Sequence, residues 1–172
     1  SYPIFSRDGK QMGLVGQGNR KDIRNAVEAA NSARSWAKST AHLRAQILYY
    51  LGENLSIRAD EFARRISEMT GQDSKESKEE VKLSIERLFT YAGWADKYDG
   101  AVHGAPIRGV ALAMNEPVGT VGIICPDALP LLGLISLIAP ALSMGNTCVV
   151  VPSEPFPCLL YTSDAADEIV RV

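Results

Sequence analysis

The sequence predicts an α/β fold in which amino-terminal helices are followed by the first βαβ unit of a parallel sheet. Three observations carry this. Apolar residues recur at helical spacing from Asn19 to Tyr98; the runs Val118 to Cys125 and Thr147 to Val151 are almost wholly apolar; and Leu129 to Met144 between them is apolar over a helix length, with Pro130 at its start. Continuous apolar runs of strand length suit strands buried on both faces. Two such strands joined through a helix must be parallel.

Taken in order, the residues up to Gly18 alternate weakly about a turn signal at Asp8-Gly9 and read as a short β-hairpin. Asn19 caps the first helix, with Asp22 at its positive end; Ile23, Val27, Ala30 and Ala37 line one face and Trp36 anchors the last turn. A second helical stretch follows Thr40. Leu43, Ile47, Leu48, Leu51 and Leu55 keep the period, Phe62, Ile66 and Met69 continue it past a break near Ser56, and Gly71 is the stop.

Ser74 or Ser77 opens the third helix, which buries Val81, Ile85, Leu88, Ala92, Ala95 and Tyr98 and ends at Gly100. The charged residues from Lys75 to Lys82 read as a solvated face, and Tyr91, Trp94 and Tyr98 as core or interface. From Ala101 the chain is Gly-punctuated and β-rich: Arg108 to Asn115 alternates as one strand, and Glu116-Pro117 separates it from the run beginning at Val118. In the crossover helix, Pro130 sits in the first turn, where its missing N–H is no loss. Pro140 is expected to kink the helix near its end, and Gly145-Asn146 to stop it.

Composition excludes several classes. With 172 residues, 46% of them hydrophobic, a net charge of −2 and a pI near 5.7, the chain lacks the basic face that nucleic acid or an anionic membrane requires. The uncharged run from Ala128 to Ser153 is long enough to cross a bilayer. It is cut by Pro130, Pro140, Gly145 and Asn146, however, so a membrane span is rejected. Cys125, Cys148 and Cys158 lack CxxC spacing and read as reduced structural thiols of a cytoplasmic protein. His42 and His103 read as surface residues, and no metal site is expected. The start lacks both the basic-then-apolar order of a signal peptide and an initiator Met, so the chain is expected to begin within a longer protein.

In an open α/β sheet, ligands sit beyond the carboxyl ends of the strands. That directs attention to Cys125-Pro126-Asp127-Ala128 and Pro152-Ser153-Glu154, and the candidate cofactor contacts are Ile124, Cys125, Pro126, Ser153 and Glu154. Glu154, just past the second strand, is placed to accept hydrogen bonds from ribose hydroxyls; spacing alone equally allows a capping acid on a following helix. Gly16-Gln17-Gly18 imitates a phosphate loop but lacks the third Gly and a strong preceding strand.

Several stretches, in order and spacing, resemble the aldehyde dehydrogenase superfamily from Asp8 to Pro157. They are Glu116-Pro117-Val118-Gly119 with Val121-Gly122-Ile123-Ile124, then Leu137 to Leu142 with Gly145-Asn146-Thr147, then Pro152-Ser153-Glu154. Ala45 to Tyr50, Ala95 to Gly100 and Cys125-Pro126-Asp127 most resemble family 16, which carries a second, non-catalytic module. The resemblance implies an incomplete Rossmann-like fold. A helical entry region would cover residues 1–107, and an oligomerisation strand with the first βαβ unit residues 108–157. It also implies NAD or NADP as cofactor, not bound strongly by this stretch alone, and a homo-oligomer formed through residues 108–118.

In that family a Cys thiolate attacks the aldehyde, hydride passes to the nicotinamide, and a base-activated water releases the acid. The nucleophilic Cys, the general-base Glu and the Gly-Ser-Thr phosphate turn all fall downstream of the matched stretches, so no catalytic residue is expected here. Two departures matter. The family's Pro-Trp-Asn is Pro126-Asp127-Ala128, which replaces an oxyanion-binding amide with a methyl group, and Val151 stands where a Lys usually precedes Pro-Ser-Glu. Residues 158–172 leave the pattern, and Leu159 to Asp167 resembles translated sequencing-adapter sequence; the alternative is a divergent helix after Ser163. Two functions stay open: part of an aldehyde oxidoreductase, or a non-catalytic scaffold, which Ala128 and Val151 favour.

Overall fold

The computed structural model describes residues 1–157; the tail from Cys158 lies outside the described residues. Strands β1 (Tyr2–Phe5) and β2 (Gln11–Val15) form the expected antiparallel hairpin. Helix α1 (Arg20–Ser32) opens on a capping box, in which Asn19 accepts from Lys21 and Asp22 while Asp22 accepts from the Asn19 backbone. It does not extend to Ala37. The chain leaves the helix at Ala33, and Trp36 and Ala37 lie in a separate turn, α2 (Ser35–Lys38), while Ile23 and Val27 are exposed.

Helices α3 (Ala41–Ile57) and α4 (Ala59–Thr70) meet at Arg58, and Gly71 ends α4 with φ 74°, a conformation that favours a residue without Cβ. Helix α5 (Ser74–Ala95) is capped by Asp73, with Glu76 completing the box, rather than by Ser74 or Ser77. Its buried stripe is Ser77, Glu80, Val81, Ser84, Leu88, Ala92 and Ala95. Glu80 therefore leaves the solvated face expected of Lys75 to Lys82. Tyr98 also leaves the buried stripe, because α5 ends before it; its ring lies tilted at 52° against exposed Trp94 with centroids 6.0 Å apart.

Residues 101–113 form two short strands rather than one, β3 (Ala101–Gly104) and β4 (Val110–Ala113), an antiparallel hairpin exposed throughout. Strand β5 (Thr120–Ile124), helix α6 (Pro130–Ser143) and strand β6 (Thr147–Val151) are the βαβ unit. The strands are parallel, in register from Thr120↔Thr147 to Ile124↔Val151.

One face of this sheet sends Val121, Ile123, Cys148 and Val150 into the core with Leu131, Leu134, Ile135 and Ile138 of α6. The opposite face carries the Thr120–Thr147 hydroxyl pair, 2.9 Å apart, and Asn31 of α1 reaches Thr120 there at 3.2 Å. Burial on both faces does not hold over the whole of the Val118 to Cys125 run. Ile124 is 81% exposed, since each strand has one neighbour among the described residues and α1 crosses only the near end of the outer face.

Helix α6 is fastened at both ends by side chains distant in sequence. At its start, Glu80 accepts from the backbone N–H groups of Leu131 (2.9 Å) and Leu132 (3.2 Å). At its end, Arg44 donates to the Ser143 carbonyl (2.9 Å) and the Trp36 indole to that of Leu142 (3.1 Å). A carboxylate at the positive end and a guanidinium at the negative end match the helix dipole. This clamped helix joins the two strand ends.

Candidate functional site

Because Ile124 and Val151 are paired in register, the residues that follow β5 and β6 emerge side by side. The ladder runs one step further, with the Cys125 N–H donating to the Val151 carbonyl at 2.9 Å. Beyond it, the Ser153 hydroxyl donates to the Asp127 carboxylate at 2.8 Å and accepts from the Phe156 N–H at 3.3 Å. The two segments singled out from sequence are thus tied together. Ser153, 3% exposed, is their knot.

The five candidate residues occupy different positions around that knot. Ile124, Pro126 and Glu154 are exposed at the rim, and Tyr2 donates to the Glu154 carbonyl at 3.4 Å. Cys125 turns its side chain into the core, so only its backbone reaches the rim. Burial pushes the thiols of Cys125 and Cys148 above the ordinary range. Neither is a reactive thiolate at neutral pH.

In a dinucleotide-binding βαβ unit the helix N-terminus is the seat of the pyrophosphate. Here it is filled. The Glu80 carboxylate takes the Leu131 and Leu132 N–H groups, and a phosphate brought to the same donors would meet a like charge. Gly16 and Gly18 are exposed ahead of a helix in which Asn19 already takes the N–H groups of Lys21 and Asp22. The first-turn N–H groups of α6 are thus taken by Glu80, while Ile124 and Glu154 on the rim stay open to solvent. Among the described residues no cluster of three or more His, Cys, Asp or Glu could hold a metal.

Glu80 and Asp127 are the residues that sequence reasoning did not assign. Glu80 was legible in principle, since Ser77, Glu80 and Ser84 share the spacing of Val81 and Leu88 and so lie on the stripe that α6 covers.

Burial pushes the Glu80 carboxyl above its ordinary 4.5, opposed by the two backbone N–H groups and by the facing Gln72 amide. An unfolded chain releases this proton near 4.5, whereas the folded chain keeps it to higher pH. In that window the folded state binds more protons, so stability falls as pH rises and levels off above the raised folded value. Glu80→Gln, which does not titrate, is expected to melt progressively further above the wild type as pH rises from acid to neutral. Melting curves of both proteins across that range check this, and a gap that does not change with pH would contradict it.

Comparison with known proteins decides the family. The model of the aldehyde dehydrogenase family matches residues 3–166. The chain belongs to that family. Its relatives include omega-crystallin of Enteroctopus dofleini, 34% identical over 90% of this chain and 32% of its own length. Betaine aldehyde dehydrogenase of Bacillus subtilis is 35% identical over 86% of this chain and 31% of its own. The crystal structure of betaine aldehyde dehydrogenase from Staphylococcus aureus in complex with NAD+ superposes with a TM-score of 0.91 at 28% identity, covering 98% of this chain and 35% of that one. The chain thus spans about a third of the length of the relatives it matches. No helix among the described residues is long and apolar enough to cross a membrane.

Proposed function

We propose that this chain is the helical entry region (1–107) and the oligomerisation strand with the first βαβ unit (108–157) of an NAD(P)-dependent aldehyde dehydrogenase module in the cytoplasm, oxidising an aldehyde to an acid with residues outside these 172. The observation that carries the reading is the Ser153–Asp127 bond, which fixes the ends of two parallel strands and leaves Glu154 open to solvent beside them. The NAD+ complex of the Staphylococcus aureus relative supports it.

The donor set at the rim fits the nucleoside half of such a cofactor. The two acceptor oxygens of Glu154 suit a pair of ribose hydroxyls, and the exposed Ile124 side chain offers an apolar floor. With Val151 in place of a lysine, no ammonium reaches a 2′-phosphate from that position, which favours NAD over NADP. NAD(P), when bound, supplies the hydride acceptor. This chain's own contribution is to hold the ribose at Glu154 and to keep phosphate off α6 through Glu80. The exposed β3–β4 hairpin, with Val110, Leu112 and Met114 in the open, suits association with a second copy through residues 108–118.

In the complete protein, Glu154→Ala is expected to weaken NAD binding about tenfold, the size of a lost hydrogen bond to a charged group. A fluorescence titration measures this, and unchanged affinity would remove Glu154 from the site. The second reading, a non-catalytic module like the second one of family 16, rests on Ala128 and Val151. Reduction of NAD by purified complete protein with an aldehyde would exclude it.

A further inference from the structure

We propose that Glu80 is a positioning residue for the nucleotide rim, acting through the first turn of α6 on the Cys125–Ala128 segment. The proposal rests on the reading of that rim given above. The Glu80 side chain, 2% exposed, projects from α5, and its stripe neighbours Val81 and Leu88 belong to the main core. Its Oε1 accepts from both Leu131 and Leu132, so the start of α6 is held by a helix outside the rim.

Immediately upstream, Leu129 has φ 51° and ψ 64°, a left-handed backbone that an L side chain adopts only when both flanks are fixed. One flank is α6, where the Gly133 N–H donates to the Leu129 carbonyl at 2.7 Å. The other is the segment in which Asp127 holds Ser153, the residue before Glu154. Two hydrogen-bonded links, Glu80 to Leu131 and Asp127 to Ser153, are therefore joined by the short backbone from Asp127 to Leu131, which leads from α5 to the residue before Glu154.

The choice of a carboxylate is the second part of the argument. A neutral Ser or Asn can cap a helix without burying a charge, whereas Glu80 buries a carboxyl whose Oε2 makes no hydrogen bond of ordinary length among the described residues and has only the Gln72 amide facing it. A buried carboxylate with one weakly matched oxygen is a poor source of stability. Charge-assisted bonds are, however, shorter and about twice as strong as neutral ones, and they fix the donor groups more closely. The arrangement favours placement of α6 over stability of the chain.

The test uses the complete protein, NADH titration by fluorescence, steady-state kinetics and thermal melting near neutral pH. Glu80→Gln is expected to melt at or above the wild-type temperature yet bind NADH about threefold more weakly, and Glu80→Ala to bind it about tenfold more weakly. The KM for the nucleotide should rise in step, with kcat at saturating nucleotide within about threefold of wild type. Arg44→Ala, which removes one of the two ties at the other end of α6, is expected to lower the melting temperature while leaving NADH affinity within about twofold. Affinity that tracks melting temperature across all three variants would show a purely structural role and overturn the proposal. So would wild-type affinity in both Glu80 variants; if Glu80→Ala does not fold, Glu80→Gln decides alone. A complete wild-type protein that binds no NADH overturns the reading of the rim as well, and is recognised before any variant is made.

Discussion

Replacing Ala128 with asparagine in the complete protein is expected to raise kcat for aldehyde oxidation about a hundred- to a thousandfold. The family resemblance implies that an amide at this position would help hold the oxyanion formed when the nucleophile attacks the aldehyde, and a methyl group donates nothing. The position can take the larger side chain. Ala128 is exposed, on the rim between the Asp127 anchor and the left-handed Leu129, so an amide would displace no core residue. The bond it adds exists only once charge has developed on oxygen, so kcat and kcat/KM should rise together while the KM for the aldehyde stays nearly constant. Steady-state NADH formation measures both. An unchanged kcat would mean that residue 128 does not face the reacting carbonyl, and the proposed orientation of the rim would fail.

Where burial follows period, the fold was legible in the sequence. The cap at Asn19, the helix following Thr40 and the stop at Gly71 follow from local chemistry, each depending on a few adjacent residues, and the parallel pairing of β5 with β6 follows from the order strand, helix, strand. The end of α1 was less visible, since Ala33 and Arg34 are acceptable helix residues. What closes the helix early is distant: the Trp36 indole donates to Leu142, which fixes α2 against the end of α6. The strand at Ala101–Gly104 was hidden for a related reason, because on an exposed hairpin neither face is forced to be apolar.

The candidate site divides the same way. Its location at the carboxyl ends of β5 and β6 is a property of topology, and the segments 125–128 and 152–154 could be named from sequence. The roles within them could not. Cys125 and Ile124 are adjacent apolar residues, and only the pleat of β5 decides that the first enters the core and the second meets solvent. Glu80 lies 51 positions from Leu131 in the chain, and its function as the anion at the start of α6 depends entirely on how α5 packs against that helix. A charged residue among charged neighbours reads as surface until a partner helix covers it.

The tightness of the α6–rim contact supplies the other large effect. A Cβ at Gly133 would lie 2.6 Å from Cγ and 3.0 Å from Cδ of Pro126, and a proline ring cannot rotate out of the way. Either α6 or the rim must move. With Glu80 at one end and Arg44 and Trp36 at the other, the helix is the firmer partner, so Gly133→Ala should displace Pro126 and strain the Asp127–Ser153 bond. Two terms oppose each other in stability: overpacking costs about 1–3 kcal/mol, while replacing a helical glycine by alanine contributes about 1 kcal/mol. Thermal melting of the complete protein should therefore shift only modestly. Nucleotide affinity has no such compensation and is expected to fall about tenfold, as read by NADH titration. Pro126→Ala removes Cγ and Cδ, so adding it to Gly133→Ala should recover most of the lost affinity, a coupling that two independent defects would not show. If the double variant binds no better than Gly133→Ala alone, the proline ring is not what transmits the helix position to the rim.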